Sequence, residues 1–276
     1  MNKQLLALYG LKYNPFTPDL PTEGLYSYPK LDEFAWRVER SFIREGGFAL
    51  ISGEPGTGKS VALRILAERL KSQRDVQVGA IQHASGRLGD FYRELGELFG
   101  VPFCMNNRWH SFKSLRDRWL HHLEGTLLRP VLLIDEAQEM SSDVLNELRL
   151  LSSMQFDSRI LLSVILAGDH RLNDKLRRDD LLPLGSRIRL RFQTEYASHE
   201  QLHEALTYLL EKAGNPTLMT TELMQTLCEH AMGNYRALCI MAGELLAVAA
   251  QQDRQQLDEQ VYFECFAKPK SANKRK

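Results

Sequence analysis

The chain has 276 residues, 43 % of them hydrophobic and 25 % charged, with a formal net charge of zero. That length allows one large domain plus a smaller one with a sizeable core, and the composition is ordinarily globular. Zero net charge excludes a whole-molecule field that draws the protein to nucleic acid or anionic membrane, so polyanion contact must come from a local patch.

From the amino terminus, Met1–Gly10 lacks the charged start, apolar stretch and cleavage site of a signal peptide. Residues 1–30 are rich in aromatics and prolines and form an N-terminal extension without a long periodic run. Leu31, Phe34, Ala35, Val38 and Phe42 then recur at helical spacing until Gly46-Gly47. Phe48–Ser52 reads as a strand, Lys59–Lys71 as a helix and Val76–Gln82 as a strand. Helical stretches follow near Leu88–Phe99 and Phe112–Leu123, then the strand Val131–Ile134, a helix near Asp143–Met154 and the strand Ile160–Ala167. Short buried strands alternating with amphipathic helices predict an α/β domain over 31–195, with a parallel sheet covered on both faces.

Beyond residue 196 the strand signal stops. Ser198 and Gln201 form a capping box ahead of the stripe Leu202, Ala205, Leu206, Leu209, Leu210, and Gly214-Asn215-Pro216 ends that helix. Further helical patterns at Thr221–Met232, Tyr235–Ala250 and Asp258–Phe266 predict a small all-helical domain over 196–267, with a basic, disordered tail at 268–276. The four cysteines (Cys104, Cys228, Cys239, Cys265) are scattered and read as packing residues in a reducing cytosol. His199 and His203 share a helix face without a third ligand and read as a surface or structural pair. The longest apolar run, Ile160–Gly168, is too short to span a bilayer, so the expectation is a cytoplasmic protein without membrane partners.

The stretch Gly53-Glu54-Pro55-Gly56-Thr57-Gly58-Lys59-Ser60 fits G-x-x-x-x-G-K-[ST] without a mismatch. By composition alone such a match arises in roughly one chain in a hundred of this length, taking Gly near 7 %. Here it also lies between a predicted strand and a predicted helix. Glycines let successive backbone N–H groups turn inward on phosphates, and the helix N-terminus adds partial positive charge. Lys59 would reach the β- and γ-phosphates of ATP, and the Ser60 hydroxyl would bind Mg²⁺. The bland reading is an ordinary glycine turn. The second half of the site is Val131–Ile134 followed by Asp135-Glu136, an apolar strand ending in two carboxylates. Asp135 would hold the Mg²⁺ shell and Glu136 would polarise the attacking water. No Asn-Lys-x-Asp guanine reader is present. A small-molecule kinase is compatible with the loop alone, but Asp-Glu and a separate helical lid favour water as the acceptor.

Tyr9–Phe16, Gly47–Glu54, Ile134-Asp135-Glu136-Ala137-Gln138 and Leu166–Asp169 together give the chain a resemblance to AAA+ ATPases. Within that class it is similar to the ExeA-like secretion ATPases and to the TnsC, TniB and MuB type ATPases of DNA transposition. The resemblance implies a P-loop NTPase core with a helical lid, and it assigns further roles. Asp169 stands at the sensor 1 place, where other ATPases often carry Asn or Thr. Arg187 is the first choice for an arginine finger reaching a neighbouring subunit's γ-phosphate, with Arg189 the fallback. Arg187, Arg189 and Arg191 also alternate as the exposed face of a strand does. Gly233-Asn234-Tyr235-Arg236 is similar to the sensor 2 motif, which makes Arg236 a nucleotide contact, or else a solvated first-turn residue. Asn14, Pro15, Phe16 and Tyr26 would line the adenine end, while Phe16 and Tyr26 read equally as core aromatics. A finger acting in trans implies a homo-oligomer, a ring or helical filament, with ATP part of the interface.

The leading functional expectation is a transposition regulator that assembles with ATP on double-stranded DNA and recruits a transposase, with or without a target-selecting protein. With the lid ending near residue 267 there is no room for a winged-helix domain, and no secretion-type membrane segment is in view. DNA contacts would be sequence-independent and made to phosphates, from candidates His83, Ser85, Arg87, Arg108, Lys113 and Arg116. The rival is an ExeA-like ATP switch that recruits a protein partner without DNA.

Overall fold

The computed structural model describes residues 3–82, 86–102, 107–155 and 158–266. His83, Ser85, Cys104 and the tail Lys268–Lys276 lie outside the described residues. The chain divides into two compact units, Ser27–Glu195 and a second that joins Met1–Tyr26 to Tyr196–Lys276. The N-terminal stretch therefore clusters with the helical unit.

That stretch carries α1 (Lys3–Tyr9), and the large unit opens with α2 (Pro29–Arg37) and α3 (Ile43–Glu45). Gly46, at φ +70, ends α3 and turns the chain into β1 (Gly47–Gly53). Next come α4 (Lys59–Lys71), β2 (Val76–Ile81), α5 (Leu88–Phe99), α6 (Arg108–His121) and β3 (Arg129–Ile134). After these come α7 (Ser142–Ser152), the two-residue strands β4 (Ser153–Met154) and β5 (Arg159–Ile160), and β6 (Ser163–Gly168). The unit closes with α8 (His170–Leu176), α9 (Leu182–Gly185) and β7 (Ile188–Thr194).

Five strands form one parallel sheet in the order β2-β3-β6-β1-β7. The inner strands are apolar on both faces because both faces are covered: Phe48–Ile51, Val131–Ile134 and Val164–Ala167 are all buried. The sheet's edge strand β7 differs, alternating buried Leu190, Phe192 and Thr194 with exposed Arg189 and Arg191, so two of the three alternating arginines are the outer face of a strand.

The strand predicted over Ile160–Ala167 is two pieces. Leu161 and Leu162 N–H both donate to the Ser152 carbonyl, at 2.7 and 3.2 Å, which pulls them off the sheet. Arg159–Ile160 instead pairs antiparallel with Ser153–Met154, a segment whose sequence pattern continues a helix. Short α8 and α9 carry no clear signal in the sequence, because seven and four residues show little periodicity.

Helix α6 starts earlier than its apolar pattern suggests, since the Asn107 side chain accepts the His110 N–H at 3.0 Å and caps it at Arg108. The buried Glu147 of α7 then ties three helices together. Its carboxylate accepts from the Tyr92 hydroxyl of α5 and from the Arg108 guanidinium of α6, the latter through Nε at 3.1 Å and again through Nη2. Burial, reinforced by that bond to Glu147, pushes the Tyr92 phenol far above its ordinary pKa.

In the small unit α10 (His199–Ala213), α11 (Thr221–Ala231), α12 (Tyr235–Gln251) and α13 (Glu259–Phe266) pack around Leu206, Leu210, Leu227, Leu245 and Leu246. The Ser198–Gln201 capping box is present, and Gly214, at φ +101, closes α10. The N-terminal stretch is strapped on by Lys12 N–H to the Ala213 carbonyl and Asn215 Nδ2 to the Tyr9 carbonyl, both 2.8 Å. Burial pushes the Cys228 and Cys239 thiols up to about 11, which makes them inert packing groups. No group of three or more His, Cys, Asp or Glu among the described residues could hold a metal ion. No helix among them is long and apolar enough to cross a membrane.

Glu147→Ala leaves a buried hydroxyl and a guanidinium without their acceptor. It should lower unfolding free energy by about 1–3 kcal/mol, read as a shift of the urea midpoint. Arg108→Ala, which leaves the buried Glu147 carboxylate without its counter-charge, should cost at least as much.

Candidate nucleotide-binding site

All five sheet strands run the same way, so their carboxyl ends meet at one edge. In register, Ser52 lies beside Gly168 and Ile134 beside Leu166. With β6 between β1 and β3, the loop 53–60, the pair Asp135-Glu136 and Asp169 all emerge on that edge.

Gly56 and Gly58 hold φ of +84 and +100, a region costly for residues with a Cβ. The loop thus turns its backbone inward and delivers Lys59 as the first residue of α4. Lys59 is buried, and its ammonium donates to the Gly53 and Glu54 carbonyls at 2.8 and 3.0 Å. Those carbonyls are stand-ins for phosphate oxygens: a buried ammonium curled inside its own loop is what a triphosphate would draw out. Ser60 is exposed and Asp135 half-buried, leaving hydroxyl and carboxylate open to a Mg²⁺ ion. The loop and its acidic partner therefore fit a nucleotide with a divalent metal ion.

Two residues of this machinery were not found from sequence. Thr194, the last residue of β7, donates its hydroxyl proton to the Thr57 hydroxyl at 2.6 Å, with the Ser52 carbonyl 3.3 Å away. Thr57 in turn donates to the Glu54 carbonyl at 2.7 Å. The strand edge thus buttresses the loop, and Gly53 permits it, since a Cβ there would sit 2.0 Å from the Thr194 hydroxyl. His170 is the second, with Nδ1 3.5 Å from the Glu54 carboxylate, an ion pair only when the imidazole is protonated. Neither belongs to a spaced motif; only the fold brings them to the loop.

Glu136 leaves β3 at φ +50, a left-handed conformation unusual for a glutamate. Its N–H donates to Asp135 Oδ1 at 2.9 Å, and its carboxylate accepts from the Gln138 side chain. Asp169 caps α8 through the Arg171 N–H at 2.9 Å and pairs with the Arg171 guanidinium at 2.8 Å. Burial alone would raise the Asp169 carboxyl, but the Arg171 hydrogen bonds and charge outweigh it and hold it below the usual range.

The remaining expected residues stand on other elements. Arg187 precedes β7, at the opposite end of that strand from Thr194, and donates to the Pro183 carbonyl. Arg189 pairs with Glu45 at 3.2 Å, and Arg191 donates to the Gly185 carbonyl at 3.4 Å. Asn14, Pro15, Phe16, Tyr26 and Arg236 belong to the small unit. There Asn14 Oδ1 caps the Phe16 N–H at 2.9 Å and Phe16 is buried in the helical core. Tyr26 packs on Tyr208 and Tyr235, and Arg236 occupies the first turn of α12 behind its Asn234 cap. Of the proposed phosphate donors, Arg108 is committed to Glu147. Arg116 lies over the Phe112 ring at 5.0 Å and donates to the Leu150 carbonyl at 3.3 Å, while Lys113 is exposed.

A family model described as an AAA domain, AAA_22, matches residues 43–176. This segment is an AAA domain. It contains the loop 53–60, Asp135-Glu136 and Asp169, and the similarity to ExeA-like and MuB-type AAA+ proteins extends to named relatives. General secretion pathway protein A of Aeromonas hydrophila is 29 % identical over 245 residues, covering 87 % of this chain and 44 % of that protein. ATP-dependent target DNA activator B of Escherichia phage Mu is 28 % identical over 169 residues, 61 % of this chain and 49 % of that protein. The chain thus spans about half the length of the curated relatives it matches. Among solved structures, the Aeropyrum pernix ORC2 protein superposes with TM-score 0.71 at 14 % identity, covering 92 % of this chain and 71 % of that one. Domain III of Thermotoga maritima DnaA gives 0.63 at 18 % identity, with 91 % and 96 % covered. These show a shared AAA+ fold, α/β with a small helical domain, as the sequence predicted.

Thr194→Val removes the hydroxyl pair without changing volume, and should weaken nucleotide binding about 3- to 10-fold in a fluorescent-nucleotide titration. Asp169→Asn should destabilise the protein above pH 5, where the native carboxylate is ionised. Because the folded pKa lies below the unfolded one, that difference from wild type should begin to shrink as pH falls below about 4 and go on shrinking toward the lower folded pKa, as denaturant midpoints at pH 6 and at successively lower pH will report.

Proposed function

We propose that this protein is an ATP-dependent AAA+ regulator of DNA transposition. In this reading it assembles with ATP and Mg²⁺ on double-stranded DNA, recruits or activates a transposase there, and disassembles on hydrolysis. The observation that carries the nucleotide part is the convergence of the inward-turned loop 53–60, buried Lys59 and Asp135-Glu136 on one sheet edge. In this site Lys59 and the loop amides bind the phosphates, Ser60 and Asp135 hold Mg²⁺, and Glu136 polarises water.

The DNA part is supported by the phage Mu relative, whose name describes a target DNA activator, and by α6. That helix bears Arg108, Lys113, Arg116 and Arg118 against a single Asp117. With Arg108 held by Glu147 and Arg116 donating to the Leu150 carbonyl, the phosphate contacts fall to Arg87, Lys113 and Arg118.

Arg187 acts in trans, and the geometry of β7 supports this. The seven residues Ile188–Thr194 separate it from the loop-side end of the strand, about 20 Å at roughly 3.3 Å per residue, too far for a side chain to reach its own loop. A finger of this kind is worth on the order of 10³–10⁵ in rate, so isolated subunits are slow. Asp169 at the sensor 1 place, Arg236 as a lid contact and Asn14, Pro15 and Phe16 at the adenine end complete the assignment.

The second reading is an ATP switch that recruits a protein in secretion without DNA. The Aeromonas hydrophila relative favours it, because it aligns over more of this chain than the phage protein does.

Negative-stain microscopy with a slow ATP analogue separates the two. Rings or filaments that need duplex DNA, and are lost steeply as salt rises, are expected; indifference to DNA at low salt refutes the transposition reading. Glu136→Gln should bind ATP and lock the assembly, with hydrolysis down at least about 100-fold, whereas Lys59→Ala should neither bind ATP nor assemble.

A further inference from the structure

Gln138 is nearly fully buried, at 5 % exposure, yet it sits in a polar turn two residues after Glu136. Its side-chain amide is used at both ends. Nε2 donates to Glu136 Oε2, and Oε1 accepts the Asp169 N–H at 3.3 Å. The orientation of the amide is forced: the Asp169 N–H is only a donor, so the oxygen must face it and the NH₂ must face the carboxylate.

The surroundings hold this arrangement in place. Gly168 leaves the room for it, since a Cβ there would stand 2.5 Å from Gln138 Oε1. The Lys175 ammonium of α8 clamps the turn from outside, donating to the Gln138 carbonyl at 2.7 Å and the Met140 carbonyl at 2.5 Å. Glu136 also needs an external hold. It sits at φ +50, a strained left-handed conformation that its surroundings must hold, and it is exposed at the sheet edge.

We propose that Gln138 is a positioning residue for hydrolysis: its amide fixes the Glu136 carboxylate and registers it against the end of β6. A shift of the Asp169 backbone then moves the carboxylate through one side chain, so the state of the sensor strand sets whether Glu136 faces the water. In this role Gln138 acts through Glu136 and not on the reacting atoms. The inference rests on the role given to Glu136 above.

The test uses full-length Gln138→Leu and Gln138→Glu beside Glu136→Gln, each with its melting temperature and nucleotide affinity measured. Gln138→Leu keeps the volume and loses both bonds. We expect kcat about 10- to 30-fold down, with KM for ATP and nucleotide affinity within about twofold of wild type. Gln138→Glu puts two carboxylates in contact, which raises the pKa of the pair. Once protonated, the carboxyl introduced by that substitution can donate to Glu136 as the amide does, so activity should recover relative to wild type as pH falls from about 8 to about 6. A residue that merely packs the turn gives no such recovery. A Gln138→Leu kcat within about twofold of wild type overturns the proposal, as does a kcat loss that tracks a lost melting transition or lost nucleotide binding, or a Gln138→Glu profile parallel to wild type. If Glu136→Gln hydrolyses ATP normally, the role of Glu136 fails instead, whatever Gln138 does.

Discussion

The insertion of β6 between β1 and β3 is the constraint on which the site depends. Residues far apart in sequence, the loop after Gly53, the carboxylates after Ile134 and the turn after Gly168, become neighbours only because three parallel strands end together. Parallel pairing demands burial on both faces, and the apolar inner strands supply it. The polar chemistry is thereby confined to the strand ends, where backbone and side chains leave the core. Thr194 extends the rule to the fourth strand, bracing the phosphate loop through a hydroxyl contact that a side chain at Gly53 would forbid.

Much of the core was legible in the sequence because it is written in local code. The loop motif has fixed spacing, helix α4 begins at its lysine, and continuous apolar runs mark the inner strands. The limits have physical causes. Ile160–Leu162 look like strand by composition, yet two N–H groups captured by the Ser152 carbonyl decide otherwise, and no pattern along the chain announces a long-range bond. Gln138 and Thr194 matter through partners 31 and 137 residues away. The Glu147 anchor is equally invisible: a glutamate on an amphipathic helix reads as solvated surface until Tyr92 and Arg108 are seen to enclose it.

That anchor also bears on how the basic helix α6 is mounted. A cation-rich helix held only by an apolar face can slide; one pinned through a buried carboxylate keeps a fixed presentation. It is joined to α7, which begins a few residues after the acidic turn of the site, so α7 links the basic helix to the chain that carries Asp135-Glu136.

Were Arg187 the trans finger proposed above, a strand's length from its own loop, a ring and a filament would differ in kind. A closed ring would have every site completed by the next subunit. An open filament would lack the arginine at the last site of one end, so its two tips would be chemically unequal. One tip would keep its ATP far longer than the interior, which would give such a filament a direction of growth and a preferred end for decay.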